Sequence, residues 1–224
     1  MNATGNDERF AQVRLIAFDL DGTLIDSSRD LITAVNAALA RMGMAALDDP
    51  TVLSYIGQGA RDLMRQALGE GATEDRVDAG LLYFREYYAE HLLDFTRPYP
   101  GVVAALERLQ GRTLAVLTNK PLRFTLPIVE GLELAPRFAR IYCEDSFPRK
   151  KPDPMGMQAL LEEFGVTARE ALLVGDSEID METARNAGTW ACGVSYGLGS
   201  HRLHLCPPDL LISDMRELAG ELGI

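Results

Sequence analysis

Six short apolar runs along the chain have the length and the branched side chains of buried strands. They lie at residues 13–18, 113–117, 139–143, 171–174, 190–194 and 209–212. Amphipathic helical patterns alternate with the later runs, as at residues 101–110 and 154–164. This alternation predicts right-handed crossovers and an α/β fold with a doubly wound, Rossmann-like parallel sheet, whose ligands bind beyond the carboxyl ends of the strands.

Residues 26–95 break the alternation because they carry helical patterns only. Their apolar positions recur at the spacing of helices with one buried face. These positions are Leu31, Val35, Leu39 and Met42, then Leu63, Ala67 and Leu68, then Val77, Leu81, Phe84 and Tyr88. We therefore predict an α/β core made of residues 1–25 and 96–224, with an all-helical cap inserted at residues 26–95. Both ends of the cap lie near the predicted site, a position that suits a lid.

Composition and charge limit the partners of the protein. The 224 residues are 47% hydrophobic and 25% charged, which is typical of a soluble globular protein. The net charge of −11 opposes binding to nucleic acid or to an acidic membrane surface. No apolar run approaches the roughly 18 residues of a membrane span, and the cysteines lack metal-site spacing, which favours a reducing compartment. We expect a cytoplasmic protein without nucleic-acid or membrane partners, and its oligomeric state stays open.

Acidic residues follow two of the predicted strands. Asp19 and Asp21 come directly after the first strand, spaced so that both can face one ligand. Asp176 ends a later strand, and Asp180 follows at the start of a helix. Turn formation and helix capping explain single members of this set, but not carboxylates at two strand ends. Asp19, Asp21 and Asp176 offer hard oxygen ligands without a His or Cys cluster, which favours Mg²⁺ over zinc.

Polar and basic residues follow two further strands. Thr118 and Asn119 offer a hydroxyl and an amide that suit phosphate oxygens, with a cap or turn as the alternative. Lys151 precedes Pro152, which keeps it out of helical geometry at the entrance of the next helix. A solvated basic turn is the alternative for Lys151, but all three lysines of the chain follow the second and third predicted strands.

Taken in order, these segments resemble the haloacid dehalogenase superfamily, and more narrowly its phosphoglycolate phosphatase-like branch. The resemblance runs from Val13 onward and rests on DLDGT at 19–23, IGQGA at 56–60, TNKP at 118–121, KKPDP at 150–154, GDS at 175–177 followed by Asp180, and SYG at 195–197. It implies one role for each site residue. These are Asp19 as nucleophile, Asp21 as general acid and base, Thr118 and Asn119 as phosphate holders, Lys151 as cationic clamp, Asp176 as metal ligand, and Asp180 near Lys151 or a metal-bound water.

The resemblance implies a Mg²⁺-dependent phosphatase that hydrolyses a small phosphorylated metabolite, phosphoglycolate being favoured, through an aspartyl-phosphate. Phosphatases for N-acetylmuramate 6-phosphate, pyrophosphate or sugar phosphates remain alternatives, as do a β-phosphoglucomutase-like mutase and a non-catalytic binding protein. Dehalogenases lack an acid that matches Asp21. Phosphonoacetaldehyde hydrolases need a lid lysine, which residues 26–95 do not contain.

Substrate choice is predicted to lie in the cap segment that places turn glycines amid helices. The candidate residues are Gly57, Gln58, Gly59, Arg61 and Arg29. We expect this segment and one of the two arginines to meet the part of the substrate beyond the phosphate. The alternative is that both arginines are simply solvated.

Overall fold

Strands and helices alternate along most of residues 8–224, the part of the chain that the computed structural model describes. The strands are β1 (Leu15–Phe18), β2 (Ile25–Asp26), β3 (Arg97–Pro98), β4 (Thr113–Leu117), β5 (Arg140–Tyr142), β6 (Ala171–Gly175), β7 (Trp190–Val194) and β8 (Leu210–Ile212). The helices are α1 (Ser28–Arg41), α2 (Asp49–Ser54), α3 (Ala60–Leu68), α4 (Glu74–Glu90), α5 (Val102–Arg108), α6 (Leu122–Gly131), α7 (Met155–Phe164), α8 (Glu178–Ala187) and α9 (Glu217–Glu221).

The central sheet has six strands in the order β5-β4-β1-β6-β7-β8, and each neighbouring pair is parallel. This order confirms the predicted α/β fold, and all six predicted strands are present. The residues of β1 alternate between two apolar clusters, with Ile16 and Phe18 in one and Leu15 and Ala17 in the other. The centre of the sheet is therefore buried on both faces, which explains why its inner strands read as continuous apolar runs.

The helices α1, α2, α3 and α4 lie between β2 and β3, and we call residues 28–90 the helical insert. The predicted apolar positions are buried there, apart from Met42, which is partly buried at the end of α1. Helix α2 escaped prediction because its six residues are too few to show a repeating apolar pattern. Asp48 caps this helix by accepting the N–H of Thr51.

Two sets of contacts hold the ends of the helical insert side by side next to the end of β1. The short strands β2 and β3 pair antiparallel. Asp30, in the first turn of α1, accepts hydrogen bonds from the backbone N–H groups of Phe95 and Thr96 and from the Thr96 hydroxyl. The domain boundaries at residues 26 and 95 stay a prediction.

The side chains of Cys143, Cys192 and Cys206 are buried, free thiols. Burial raises the pKa of Cys143 to about 11, so this thiol is not a reactive thiolate near neutral pH. Among the helices of residues 8–224, none has both the length and the apolar surface needed to cross a membrane.

Candidate active site

Three neighbouring strands bring predicted site residues to one edge of the sheet. Asp19, Thr118 and Asp176 are the first residues after β1, β4 and β6. Strand β1 pairs residue for residue with β4 on one side and with β6 on the other. Because parallel strands end at the same edge, the three side chains lie beside one another there. Asp19 is 9% exposed, and the other two residues are 3% exposed.

The carboxylates of Asp19, Asp176 and Asp180 form a cluster in which one oxygen of each lies within 4.8 Å of the others. Asp180 is in the first turn of α8, where its Oδ2 also accepts the backbone N–H and the hydroxyl of Ser177. Asp176 Oδ2 accepts the N–H of Gly199 at 2.7 Å. Asp180 was predicted beside Lys151 or a metal-bound water, and the structure places it beside Lys151, where it could also hold an ion together with the other two carboxylates.

Lys151 supplies the positive charge next to this cluster. Its Nζ lies 2.8 Å from Asp19 Oδ1 and 2.5 Å from Asp180 Oδ1, and its side chain is 3% exposed. Burial lowers the pKa of Lys151, but the charges of Asp180 and Asp19 outweigh burial, and the pKa lies above its ordinary value. The ammonium therefore stays charged.

Asn119 fixes the position of Lys151. The side-chain oxygen of Asn119 accepts the Lys151 N–H at 3.0 Å, and its side-chain nitrogen donates to the Lys151 carbonyl at 3.1 Å. The same nitrogen donates to the carbonyl of Gly57 in the helical insert. The Asn119 amide was predicted to hold phosphate oxygens, whereas in the structure both its oxygen and its nitrogen form hydrogen bonds with backbone groups.

The Asp21 carboxylate is bound by a different lysine. Lys120 Nζ donates to its two oxygens at 3.0 and 3.1 Å, and the Ser27 hydroxyl donates to Oδ1 at 2.5 Å. Within residues 8–224, the carboxylate cluster does not include Asp21. The assignment of Asp21 as a metal ligand stays a prediction, and in the structure these two donors hold its side chain outside the cluster.

Lys120 is a site residue for which the sequence pattern indicated no role. It is 6% exposed, and its Nζ also donates to the phenol oxygen of Tyr88 in α4 at 2.7 Å. Burial lowers the pKa of Lys120, but the charge of Asp21 raises it above its ordinary value, and burial raises the pKa of Tyr88 to about 12. The available signal was the position of Lys120 directly after Thr118 and Asn119 in a chain with three lysines.

The donor set fits a hard divalent cation. Three carboxylates face one ammonium, which leaves a negative charge to balance, and Mg²⁺ prefers oxygen ligands. Among the described residues, Asp19 Oδ1 has no partner in hydrogen-bond geometry, although the Lys151 ammonium is near, so a buried oxygen is left for another ligand. A Cβ at Gly22 would lie 2.2 Å from Asp176 Oδ2, so only glycine leaves room for this carboxylate. Asp19, Asp176 and Asp180 are thus the residues that would hold the ion.

Burial is the main influence on the pKa values of the carboxyl groups of Asp19 and Asp176. Burial raises the pKa of Asp19, the Lys151 charge lowers it and the Asp180 charge raises it, and the net result is a pKa of about 6. Burial also raises the pKa of Asp176 well above its ordinary value, and the charges of Asp180 and Asp19 add to the increase. A bound divalent cation would oppose these shifts, because it favours the ionised carboxylates.

Replacing Asp176 with asparagine is expected to stabilise the protein in EDTA. Because the pKa of Asp176 is raised in the folded state, the free energy of unfolding of the wild type falls as the pH rises above 3.8, the ordinary value, towards the raised value. Asparagine removes the charge and keeps an oxygen for the Gly199 N–H. We expect a gain of about 1–4 kcal/mol near neutral pH. Thermal denaturation would show this gain as a rise in melting temperature of roughly 2–4 °C per kcal/mol.

Mg²⁺ provides the matched comparison for Asp176→Asn. The melting temperature of the wild type should rise when Mg²⁺ replaces EDTA, since a ligand that binds only the folded state stabilises it. The variant should gain much less because it has lost one carboxylate. A variant that melts below the wild type in EDTA would contradict the assigned charge repulsion.

A cavity of about 50 Å³ lies between these strand ends and the helical insert. The core side contributes Asp19, Asp21, Thr118, Asn119, Lys120, Pro121 and Phe124, and the insert contributes Leu31, Ile56, Gly57, Gly59, Ala60, Leu63, Phe84 and Tyr88. Asp19 and Asp21 therefore face one shared space. Its other walls are mostly apolar, and apolar surroundings strengthen electrostatic interactions.

Donors from the core hold the insert against the cavity. Arg202 donates to two carbonyl groups at the end of α2, at 3.0 Å each. Lys150 donates to the carbonyl of Gln58 and pairs with Asp62. At Gly59 a Cβ would lie only 3.0 Å from the nearest core side chain, and the φ of 90° also favours glycine. The predicted specificity segment thus meets the core through its backbone.

The structure does not bring Arg61 and Arg29 into the cavity lining. Arg61 pairs with Glu74 and Asp78 of α4, and its side chain is 38% exposed. The Arg29 guanidinium lies 3.7 Å from the centre of the Phe95 ring. Both guanidinium groups therefore have partners outside the cavity.

Comparisons with known proteins agree with this geometry. The family model for haloacid dehalogenase-like hydrolases matches residues 16–194. The phosphoglycolate phosphatase of Vibrio parahaemolyticus is 37% identical over 221 residues, which are 95% of this chain and 97% of that protein. Phosphoglycolate phosphatase 1 of Pseudomonas aeruginosa is 39% identical over 214 residues, which are 92% of this chain and 78% of that protein.

A solved structure shows the same fold. The crystal structure of a predicted phosphoglycolate phosphatase from Haemophilus somnus 129PT superimposes with a TM-score of 0.87 and 34% identity. The match covers 93% of this chain and 97% of the other. Sequence motifs, fold and relatives therefore agree, and the chain belongs to the haloacid dehalogenase-like hydrolase family, in the branch that includes these phosphoglycolate phosphatases.

Proposed function

We propose that the protein is a Mg²⁺-dependent phosphatase that hydrolyses a small phosphate monoester, with phosphoglycolate as the favoured substrate. One observation carries the proposal: Asp19 and Asp21 face the same cavity, while their carboxylates contact different lysines, Lys151 and Lys120. The two acids thus have different surroundings, as a nucleophile and a proton donor require. Membership of the hydrolase family supports this division of roles.

In the first step, Asp19 attacks the phosphorus atom, and the bond from phosphorus to the ester oxygen breaks. Repulsion between two anions opposes this attack. Lys151, 2.8 Å from Asp19, reduces the repulsion by placing a positive charge beside both groups. Asp21 gives its proton to the ester oxygen, which leaves as an alcohol, and the phosphoryl group remains on Asp19.

In the second step, water attacks the phosphorus atom of the aspartyl-phosphate. Asp21, now ionised, takes a proton from this water, and the bond between Asp19 and phosphorus breaks. Inorganic phosphate leaves, Asp19 is again a carboxylate, and Asp21 again carries its proton. Lys120 and Ser27 hold Asp21 in place through both steps. The Thr118 hydroxyl, which lines the cavity, is assigned to a phosphate oxygen.

Asp19, Asp176 and Asp180 are assigned to the Mg²⁺ site. When bound, the ion screens the negative charge of the phosphate and of its carboxylate ligands. Lys151 alone does not balance three buried carboxylates, and this imbalance supports the assignment.

The choice among small phosphate esters rests on the relatives. Sugar phosphates, pyrophosphate and N-acetylmuramate 6-phosphate are the alternatives that the test below includes. The relatives named phosphoglycolate phosphatase support the two-carbon acid as the substrate.

We assign the helical insert, within the predicted cap boundaries of 26 and 95, the role of a lid that opens to admit this substrate. The hydrogen bonds from Arg202 and Lys150 to insert carbonyls would break on opening. The contacts of Asp30 at the two ends of the insert suit a hinge. A cytoplasmic location belongs to the same proposal, supported by the free, buried thiols.

The test is phosphate release from phosphoglycolate, pyrophosphate, glucose 6-phosphate and N-acetylmuramate 6-phosphate, each with Mg²⁺ and with EDTA. We expect phosphoglycolate to be hydrolysed fastest, and EDTA to lower the rate by roughly 100-fold or more. Conversion of β-glucose 1-phosphate to glucose 6-phosphate without phosphate release would favour the mutase. Absence of both reactions would contradict the proposed chemistry.

A further inference from the structure

The cavity contains one positive charge to which the proposed mechanism assigns no contact with the substrate. Among the described residues that line it, Lys120 is the only one with a cationic side chain. Lys151, by contrast, lies between Asp19 and Asp180, next to the attacking carboxylate. A substrate with a second anionic group would therefore find its partner at Lys120.

The position of Lys120 relative to Asp21 sets where that second group must be. Asp21 protonates the ester oxygen in the proposed mechanism, and Lys120 Nζ lies 3.0 Å from Asp21 Oδ1. In a carboxylic acid phosphorylated on its 2-hydroxyl, one carbon separates the ester oxygen from the carboxylate carbon, a distance of about 2.4 Å from ordinary bond lengths and angles. Asp21 and Lys120 are thus neighbours in the protein, as the ester oxygen and the carboxylate are in the substrate.

We propose that Lys120 binds a substrate carboxylate attached to the carbon that carries the ester oxygen, and that the enzyme selects 2-(phosphooxy)carboxylates as a class. Phosphoglycolate is the smallest member of this class. The inference rests on the proposed phosphatase function and assigns its specificity to Lys120 instead of Arg61 or Arg29.

The surroundings of Lys120 suit this role. Its ammonium lies among apolar cavity walls, including Phe84 and Phe124, where a charge-assisted hydrogen bond is stronger than in water. The Tyr88 hydroxyl, which accepts from Lys120 at 2.7 Å, comes from the helical insert. The carboxylate subsite is therefore complete only when the insert is in place, so that binding of the acid and closure of the lid favour each other.

The experiment compares phosphoglycolate with 2-hydroxyethyl phosphate, which replaces the carboxylate by an uncharged hydroxymethyl group. The measured quantity is the ratio of kcat/KM for the two esters, in the wild type and in Lys120→Met. We expect the wild type to prefer phosphoglycolate by roughly 10- to 100-fold, the range of one hydrogen bond to a charged group. Lys120→Met should bring the ratio close to one, mainly by raising KM for phosphoglycolate.

Arg14→Met is the control, because it also replaces a cation by methionine, at a residue that pairs with Glu170 and does not line the cavity. It should leave the ratio unchanged. If Lys120→Met lowers kcat/KM by the same factor for both esters, Lys120 acts only by positioning Asp21, and the inference is wrong. If the wild type hydrolyses neither ester, the proposed function itself fails, which is a different result.

A measurement on the wild type alone covers the case in which Lys120→Met does not fold. In 3-phosphoglycerate the carboxylate lies one carbon further from the ester oxygen than in phosphoglycolate. We expect kcat/KM to be at least roughly 10-fold lower for 3-phosphoglycerate, since its carboxylate cannot reach Lys120 while Asp21 contacts the ester oxygen. Equal values for phosphoglycolate, 2-hydroxyethyl phosphate and 3-phosphoglycerate would overturn the assignment.

Discussion

Asparagine at position 19 is expected to lower phosphate release by at least about 10⁴-fold, in line with the loss of a nucleophile in other enzymes that use covalent catalysis. The amide has nearly the same shape as the carboxylate but does not attack phosphorus. Steady-state phosphate release with phosphoglycolate and Mg²⁺ measures the loss. A rapid burst of phosphoryl transfer in the wild type, absent from Asp19→Asn, would report the aspartyl-phosphate directly.

The fold of Asp19→Asn should be unaffected. Because burial raises the pKa of Asp19 to about 6, ionisation of this residue opposes folding near neutral pH, and in EDTA the neutral amide should melt no lower than the wild type. Asp214→Asn is the control, since Asp214 pairs with Arg216 on the surface beyond β8. It should keep turnover within about twofold. Retention of more than a tenth of the wild-type turnover by Asp19→Asn would remove Asp19 as the nucleophile.

The inner strands β4, β1, β6 and β7 were predictable because they are buried on both faces and therefore appear as apolar runs. Position 19 was predictable for the same reason, since an aspartate directly after such a run must lie at the edge where ligands bind. The β2–β3 pair was not predictable. Its two-residue strands include Asp26, Arg97 and Pro98, which carry no strand pattern, and backbone pairing across the ends of the insert creates it.

Pairing between distant segments also explains which contacts at the site escaped prediction. The spacing of Asp19 and Asp21 indicated that both could face one ligand, and both line the cavity, but it did not show that Lys120, far along the chain, binds the Asp21 side chain. Arg61 seemed available for a substrate because its partners, Glu74 and Asp78, belong to another helix. A linear sequence shows which charges exist, and only the packing of elements decides which of them neutralise each other.

The loop after β4 shows how closely these contacts are coupled. Thr118 lines the cavity, Asn119 holds the backbone of Lys151, and Lys120 joins Asp21 to Tyr88 of the insert. Three consecutive residues thus connect the phosphate position, the cationic clamp and the lid. A backbone shift in this loop would therefore disturb all three at once.

Replacing Lys151 with methionine is expected to be the most destabilising change at the site. It removes the ammonium that contacts Asp19 and Asp180 and leaves both carboxylates beside Asp176 without that compensation. Loss of one partner of a buried ion pair costs about 3–5 kcal/mol. Thermal denaturation in EDTA should therefore show a melting temperature lower by roughly 6–20 °C, and phosphate release should be lost as well.

The directions in which Lys151→Met and Asp176→Asn change the melting temperature distinguish electrostatics from packing. If packing dominated, Lys151→Met and Asp176→Asn would both destabilise the protein, whereas the charge imbalance predicts opposite shifts in EDTA. A second substitution, Asp180→Asn, should recover part of the stability lost in Lys151→Met, because it removes one uncompensated charge and keeps an oxygen for the Ser177 N–H. Lys150→Met, the same change at a more exposed neighbour, should shift stability by less than about 1 kcal/mol. A loss in Lys150→Met as large as in Lys151→Met would show that the lysine side chains act through packing.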